Sequence, residues 1–312
     1  MVVLASLAFQ AKAEQVSAPL LLQQMTEAAR GLEYRGRLLY MHGSALTTLE
    51  LLHARFDNRE HERLTQLDGQ LAEVIRRGDH VVCVHADQTI TRLVNRNSVS
   101  PLGLNDRLNN TVPVQYQLLL DGDDRVAGRA VYRMRLLPMD QFRYGYRLWI
   151  DQESRLLLKS ELVDAAGLAL ERLEFVSLEL APGLSVSDFD IPPALKERAL
   201  DPLDASQHPH GRVRLKAAWV PEGFAEVDRD LRLTGGERQP VVATTYSDGL
   251  AAFTLFVEPA TESPAEGVSR MGPTLAISRV LDQGQWLVTL VGEVPELTGE
   301  RVLSGLSFEN RQ

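Results

Sequence analysis

Over residues 143–164, the run RYGYRLWIDQESRLLLKSELVD alternates apolar and polar positions with period two on either side of a polar turn at Asp151-Gln152-Glu153-Ser154, which predicts a β-hairpin. Along its first strand Tyr144, Tyr146, Leu148 and Ile150 share one face, while Arg143, Gly145, Arg147 and Trp149 share the other. This is the pattern of a sheet with one wet face. Upstream, Leu21, Leu22, Met25, Ala28, Ala29 and Leu32 recur at three- and four-residue spacings, predicting an amphipathic helix over 19–32 with Ser17 as N-cap and Gly31 as stop. Short strands follow, punctuated by turn signals at Asp68-Gly69, Gly78-Asp79, the DGDD run at 121–124 and Ala165-Ala166-Gly167, and they end near Leu180. The Asn- and Pro-containing stretch 102–116 breaks the alternation and predicts a short helix with a long loop crossing the sheet.

The stretch 181–211 is rich in Pro and Asp and reads as a linker with one short helix over 194–200. Beyond it the pattern predicts strands near 213–220, 241–247, 250–257 and 286–291, a hairpin turn at Ser247-Asp248-Gly249 and a closing helix over 295–305. The expected class is α+β. A large antiparallel sheet over a few helices spans 14–180, and a small α+β unit spans 212–312.

At 312 residues the chain is long enough for two units, each with its own core. Its 44% apolar and 24% charged content is ordinary for a globular protein. A formal charge of −9 argues against nonspecific nucleic-acid binding, which needs a basic face. The apolar run Val2 to Phe9 followed by Ala11-Lys12-Ala13 reads as an export signal over 1–13, cut before Glu14. A lone Cys83 in HVVCVH offers no internal disulfide and reads as a buried small hydrophobe. No cysteine follows the signal to carry a lipid anchor.

Candidate chemistry is sparse. His42, His53, His61, His80 and His85 fall on different predicted strands, and His208 and His210 fall in the linker, so no metal set is expected. The sequence carries no nucleophile elbow, Walker A lysine loop or dinucleotide glycine motif, so neither a catalytic site nor a cofactor is expected. Glu60 and Glu62 beside Arg59 and Arg63 read as surface ion pairs. Tyr132, Tyr144, Tyr146 and Trp149 cluster on adjacent strands, where they either line an apolar cavity or pack on the helices.

The segments LLQQMTEAARGLEY, HARFDN, QLDGQLAEVIRRGD, RYGYRLWIDQESRLLLKSELVD, WVPEGFAEV, YSDGLAAFTLFV and VTLVGEVP, in this order across both units, closely resemble the RseB/MucB family, and most of all its MucB branch. The resemblance implies periplasmic regulators of the sigma-E-type envelope stress response, in the MucB branch with control of alginate production. It implies a large half-open β-barrel over helices, like the lipoprotein carriers, plus a small C-terminal domain. It further implies binding of the periplasmic segment of a RseA/MucA-like anti-sigma factor, its protection from proteolysis, and its release on lipid A or lipopolysaccharide; a homodimer is compatible with it. On that footing Tyr144, Tyr146 and Trp149 are expected to line or rim a lipid site, with Arg143 and Arg147 turned to phosphates. Phe224, Tyr246 and Phe253 are expected to contact the partner, and Trp219 to be core. The rival from another class is a periplasmic lipid or lipoprotein carrier, which would need no second unit.

Overall fold

A computed structural model describes residues 17–70, 72–87, 89–94, 103–108, 112–192, 196–197, 213–234 and 239–308. The export signal expected over 1–13 lies outside them, as does most of the helix expected over 194–200. Among the described residues no helix is long and apolar enough to cross a membrane.

The chain opens with α1 (Ala18–Gly31), whose stripe of Leu21, Leu22, Met25 and Ala29 is buried; Ser17 sits at its N-cap without a side-chain bond. Eleven strands follow around one short helix: β1 (Tyr34–His42), β2 (Ala45–Phe56), β3 (Arg59–Gln66), β4 (Glu73–Arg77), β5 (His80–Val84), β6 (Thr89–Val94), α2 (Gly103–Leu108), β7 (Tyr116–Val126), β8 (Arg129–Pro138), β9 (Gly145–Asp151), β10 (Leu157–Val163) and β11 (Ala169–Leu180). Together with β12 (Lys196–Glu197) they form one sheet in the order β12-β6-β5-β4-β3-β2-β1-β11-β10-β9-β8-β7. The β12–β6 pairing is parallel. Where a short helix was expected, Lys196 and Glu197 instead extend the sheet. Helix α1 touches both β2 and β7, strands half the sheet apart, so the sheet curls around it.

The DGDD run is not a turn. It lies inside β7, where the register slips between Leu120 and Asp123 and Gly122 takes a φ of +84°. The extra residues form a bulge, and the reversal comes later at Ala127-Gly128. Nor is one face of β9 wet: Trp149 and Asp151 are buried as well as Tyr146, Leu148 and Ile150. Residues 184–191 turn back over the far side of β2–β5, burying Leu184 and the fully enclosed Phe189 against Ala54. Cys83 on β5 is half-buried, and burial pushes its thiol up.

The small unit holds β14 (Ala225–Thr234), β15 (Gln239–Ser247), β16 (Ala252–Pro259), β17 (Gly267–Met271), β18 (Thr274–Leu281) and β19 (Trp286–Gly292) in one antiparallel sheet, ordered β14-β15-β16-β19-β18-β17. Helix α3 (Glu296–Ser304) packs on β18, while β13 (Leu215–Ala217) pairs with β20 (Leu306–Phe308). The protein is therefore mostly β-sheet with few helices.

Candidate functional site

The two units meet at a joint built around Arg143, at the end of the β8–β9 loop. Its guanidinium is wholly buried, 2.9 Å from Asp140 and paired with the equally buried Asp248 of the β15–β16 turn. One Nη also donates to the Glu222 carbonyl at 2.7 Å. The group lies over the rings of Tyr116 and Phe224 at 5.8 and 5.2 Å, one from each unit. Asp248 is doubly committed. Its Oδ1 accepts the backbone N–H groups of Leu250 and Ala251 at 2.8 and 2.7 Å, the bonding an Asx turn requires. The turn's tip, Leu250, is buried in the core of the large unit beside Leu21, Met25 and Tyr146. Its carbonyl accepts from Arg107 of α2 at 3.1 Å.

Three further contacts cross the joint. Thr298 of α3 donates to the Phe142 carbonyl at 2.8 Å, and Phe142 meets Trp219 edge-on at 4.9 Å. Arg301 lies 5.3 Å over the Phe142 ring, a cation–π contact across the joint, and 4.0 Å over Trp219 of its own unit. At the other end, the β1–β2 and β17–β18 turns touch through Gly43 and Gly272, with φ of +60° and +56°. A Cβ on Gly272 would stand 2.6 Å from the Gly43 nitrogen, so both the backbone sign and the approach require glycine.

Between these ends lies a polar cluster. Glu171 accepts from the Tyr40 hydroxyl at 2.9 Å and contacts the His42 ring at 3.1 Å. Arg107 reaches Glu293 of the small unit at 3.4 Å. Burial, with help from the Glu293 charge, holds the Glu171 carboxyl above its ordinary 4.5, despite the bonds from Tyr40 and His42. A raised carboxyl favours the fold while it is protonated, and that stability is lost as pH rises through its folded value. Glu171→Gln, whose amide oxygen can still accept from Tyr40, should therefore raise the urea midpoint at pH 7 and give no gain near pH 4. A midpoint that falls at pH 7 would show that the charge itself is needed. The hydroxyls of Tyr116 and Tyr144 are buried without a partner, a further cost within the joint.

The residues singled out from sequence do not form one surface. Tyr144 and Tyr146 are core, packed with Met134, Leu148 and the two helices. Trp149 faces the opposite side, where its indole donates to Asp124 at 2.9 Å and Lys159 covers its ring at 4.5 Å. Arg147 is paired with Glu161 at 3.2 Å and the Gly167 carbonyl at 2.8 Å. Arg143 is sealed in the joint and cannot face a phosphate. Phe224, Phe253 and Tyr246 stack on one another at 5.5 and 5.3 Å and are buried, because they are the centre of the small unit's core. Glu60 pairs with Arg30 and Arg76, and Arg63 with Glu73 across the sheet, so Glu60 and Arg63 find these partners on other elements. Among the described residues no group of His, Cys, Asp or Glu is placed to hold a metal ion.

Residues 17–200 match the family model of the MucB/RseB N-terminal domain, and 209–307 that of the MucB/RseB C-terminal domain. The chain is 32% identical over 297 residues to the sigma factor AlgU regulatory protein MucB of Pseudomonas aeruginosa, covering 90% of this chain and 88% of that protein. It is 29% identical over 322 residues to the sigma-E factor regulatory protein RseB of Escherichia coli K12, covering 97% and 95%. Among solved structures it resembles MucB in complex with MucA(peri), with a TM-score of 0.74 at 30% identity over 95% of this chain and 100% of that one. Against MucB alone the TM-score is 0.62 at 28% identity, over 94% and 98%. Two domain models in sequence order and a relative matched along nearly its whole length leave one conclusion: the chain belongs to the MucB/RseB family, whose members are regulatory binding proteins and not enzymes.

Proposed function

We propose that this protein is a periplasmic negative regulator that binds the periplasmic segment of a transmembrane anti-sigma factor, shields it from regulated proteolysis, and releases it when lipid or lipopolysaccharide signals envelope damage. The observation that carries the reading is the likeness to partner-bound MucB, at a TM-score of 0.74, above the 0.62 for MucB alone. Both units and their relative placement enter that comparison, which supports a joint set for holding the partner. The joint itself rests on a few buried polar contacts, one inserted leucine, a few ring contacts and one close approach of two glycine turns, so opening it costs less than unfolding either unit.

Signal-driven release requires two coupled sites, and a hundredfold loss of partner affinity corresponds to about 2.7 kcal/mol of differential binding. With Phe224, Tyr246 and Phe253 enclosed, the small unit offers the partner its edges. Strand β17 is exposed along its whole length, and an extended segment can add to such an edge through main-chain hydrogen bonds.

The test is a protease-protection assay on a partner segment mixed with the full chain. The full chain should slow cleavage, a chain ending at Leu203 should protect far less, and added lipid A should restore cleavage. Full protection by the shortened chain would move the docking site to the large unit. Recovery of lipoproteins, with no membrane protein, from envelope extract would favour a carrier.

A further inference from the structure

We propose that Tyr40, His42, Arg107 and Glu171 of the large unit and Glu293 of the small one form a proton-operated latch, in which the closed joint takes up a proton that the open joint releases. Mild acid therefore holds the two units together, and rising pH frees them. The proposal goes beyond the function put forward above and does not rest on it.

Sheet register builds the large unit's half of the latch. Tyr146 is paired with Leu162, Leu162 with Glu171, and Glu171 with His42, across β9, β10, β11 and β1. Directly paired residues share a face of the sheet, so this row runs unbroken to the β1–β2 turn. Tyr40, two residues before His42, lies on the same face, and Oε2 of Glu171 reaches both of them. Arg107 enters the set from α2. With the His42 ring neutral, this half carries one negative and one positive charge and is balanced.

The small unit upsets that balance. It brings Glu293, just past β19, to 3.4 Å from Arg107, and Thr274 of β18, whose hydroxyl stands 3.5 Å from Nε2 of His42. Two carboxylates now share one guanidinium, in a seam where the His42 and Glu171 side chains are only 16% and 20% exposed. A net negative charge held with so little water is unfavourable, and one proton removes it. The proton can go to Glu171, whose carboxyl is held above its ordinary 4.5 by burial first and the Glu293 charge second. It can equally go to His42, the side-chain type that titrates nearest neutrality. There it makes both ring nitrogens donors, Nδ1 to Glu171 and Nε2 to the Thr274 hydroxyl. The phenols facing the set, Tyr40 and Tyr146, stay neutral because burial pushes both hydroxyls up. Asp248, which also acts on Tyr146, is committed to Arg143.

When the units part, the Glu293 charge and the burial are both lost, and the Glu171 carboxyl falls back toward its ordinary value. The closed joint thus binds more protons than the open one. Closure is favoured at low pH and lost as pH rises through the closed-state value.

Thiol labelling of the full chain reads the opening directly. Leu250→Cys places a thiol at the inserted tip of the β15–β16 turn, and Cys83→Ala leaves it as the chain's one cysteine. Protection is the labelling rate of the urea-unfolded chain divided by that of the folded chain, both with 4,4′-dithiodipyridine at the same pH, so that thiol ionisation cancels. It should be at least about threefold greater at pH 5.5 than at pH 8.0, uptake of one full proton setting a ceiling of about tenfold per pH unit. Glu293→Gln should flatten this dependence, because the charge that draws the proton is gone; the lost ion pair with Arg107 shifts only the level. Glu171→Gln should raise protection at pH 8.0. A thiol in the small unit's core, from Ile277→Cys, should be better protected than the one at Leu250 at both pH values, since it reacts only when that unit unfolds. Parent protection no greater at pH 5.5 than at pH 8.0, an undiminished dependence in Glu293→Gln, or equal protection of the two thiols would overturn the latch. Should Leu250→Cys leave the joint open at both pH values, small-angle scattering of Arg143→Met, which weakens the joint outside this cluster, decides instead. Its radius of gyration should be larger at pH 8.0 than at pH 5.5, and equal or reversed values overturn the latch.

Discussion

Replacing Arg143 with Met should cost about 3–5 kcal/mol, because it leaves the fully buried Asp248 carboxylate without its counter-charge. Met keeps the apolar stem against Tyr116 and Phe224, so the loss is one of charge compensation and not of volume. Asp140 is less affected, since it retains partial exposure. The double variant R143M/D248N should regain much of the loss: Asn can still accept the Leu250 and Ala251 N–H groups through its Oδ1, and it carries no charge. The effect should be concentrated on the joint. Urea unfolding should split into two transitions, small-angle scattering should report a larger radius of gyration, and protection of the partner segment should fall with it. A single variant that loses less than about 1 kcal/mol would mean that water reaches Asp248, and the joint would then not be the closed site described.

The parts of this arrangement that were legible in the sequence are those written in local periodicity. The hairpin of β9 and β10, helix α1, α3 and the Ser247-Asp248-Gly249 reversal follow from period-two and period-3.6 patterning and turn chemistry. What failed did so for physical reasons. The DGDD run has the composition of a turn, but a bulge uses the same glycine freedom within a strand, and composition does not separate the two. Strands β14, β17, β18 and the short β20 were missed: β17 is exposed throughout and shows no alternation.

The site was less legible than the fold. Sequence identified Asp248 as a turn residue, and its Oδ1 does fill that role; nothing local reveals that its second oxygen meets an arginine from 105 positions upstream. The same holds for Thr298 and Phe142, 156 positions apart. Aromatic clustering proved ambiguous for a related reason. Tyr146 and Trp149 are three residues apart yet face opposite sides of a sheet covered on both, so closeness in sequence gave no shared surface.

Phe253→Ala should destabilise the small unit by about 3–5 kcal/mol, the range for truncating a large buried aromatic. Its ring is 1% exposed and sits between Phe224 and Tyr246, so the cavity left behind is walled by rigid side chains that cannot collapse into it. Val227→Ala, on the exposed edge strand β14, should stay within about 0.5 kcal/mol of the parent. The pair also separates two roles for the aromatics. If Phe253 acts as core, Phe253→Ala weakens partner protection only by depopulating the folded unit, and an osmolyte that restores folding, such as trimethylamine N-oxide, should restore protection. If it were a direct anchor, refolding the unit would leave the affinity lost, because the contact itself would be gone. Protection that stays low at an osmolyte concentration where circular dichroism shows the unit refolded would return Phe253 to the partner-binding surface.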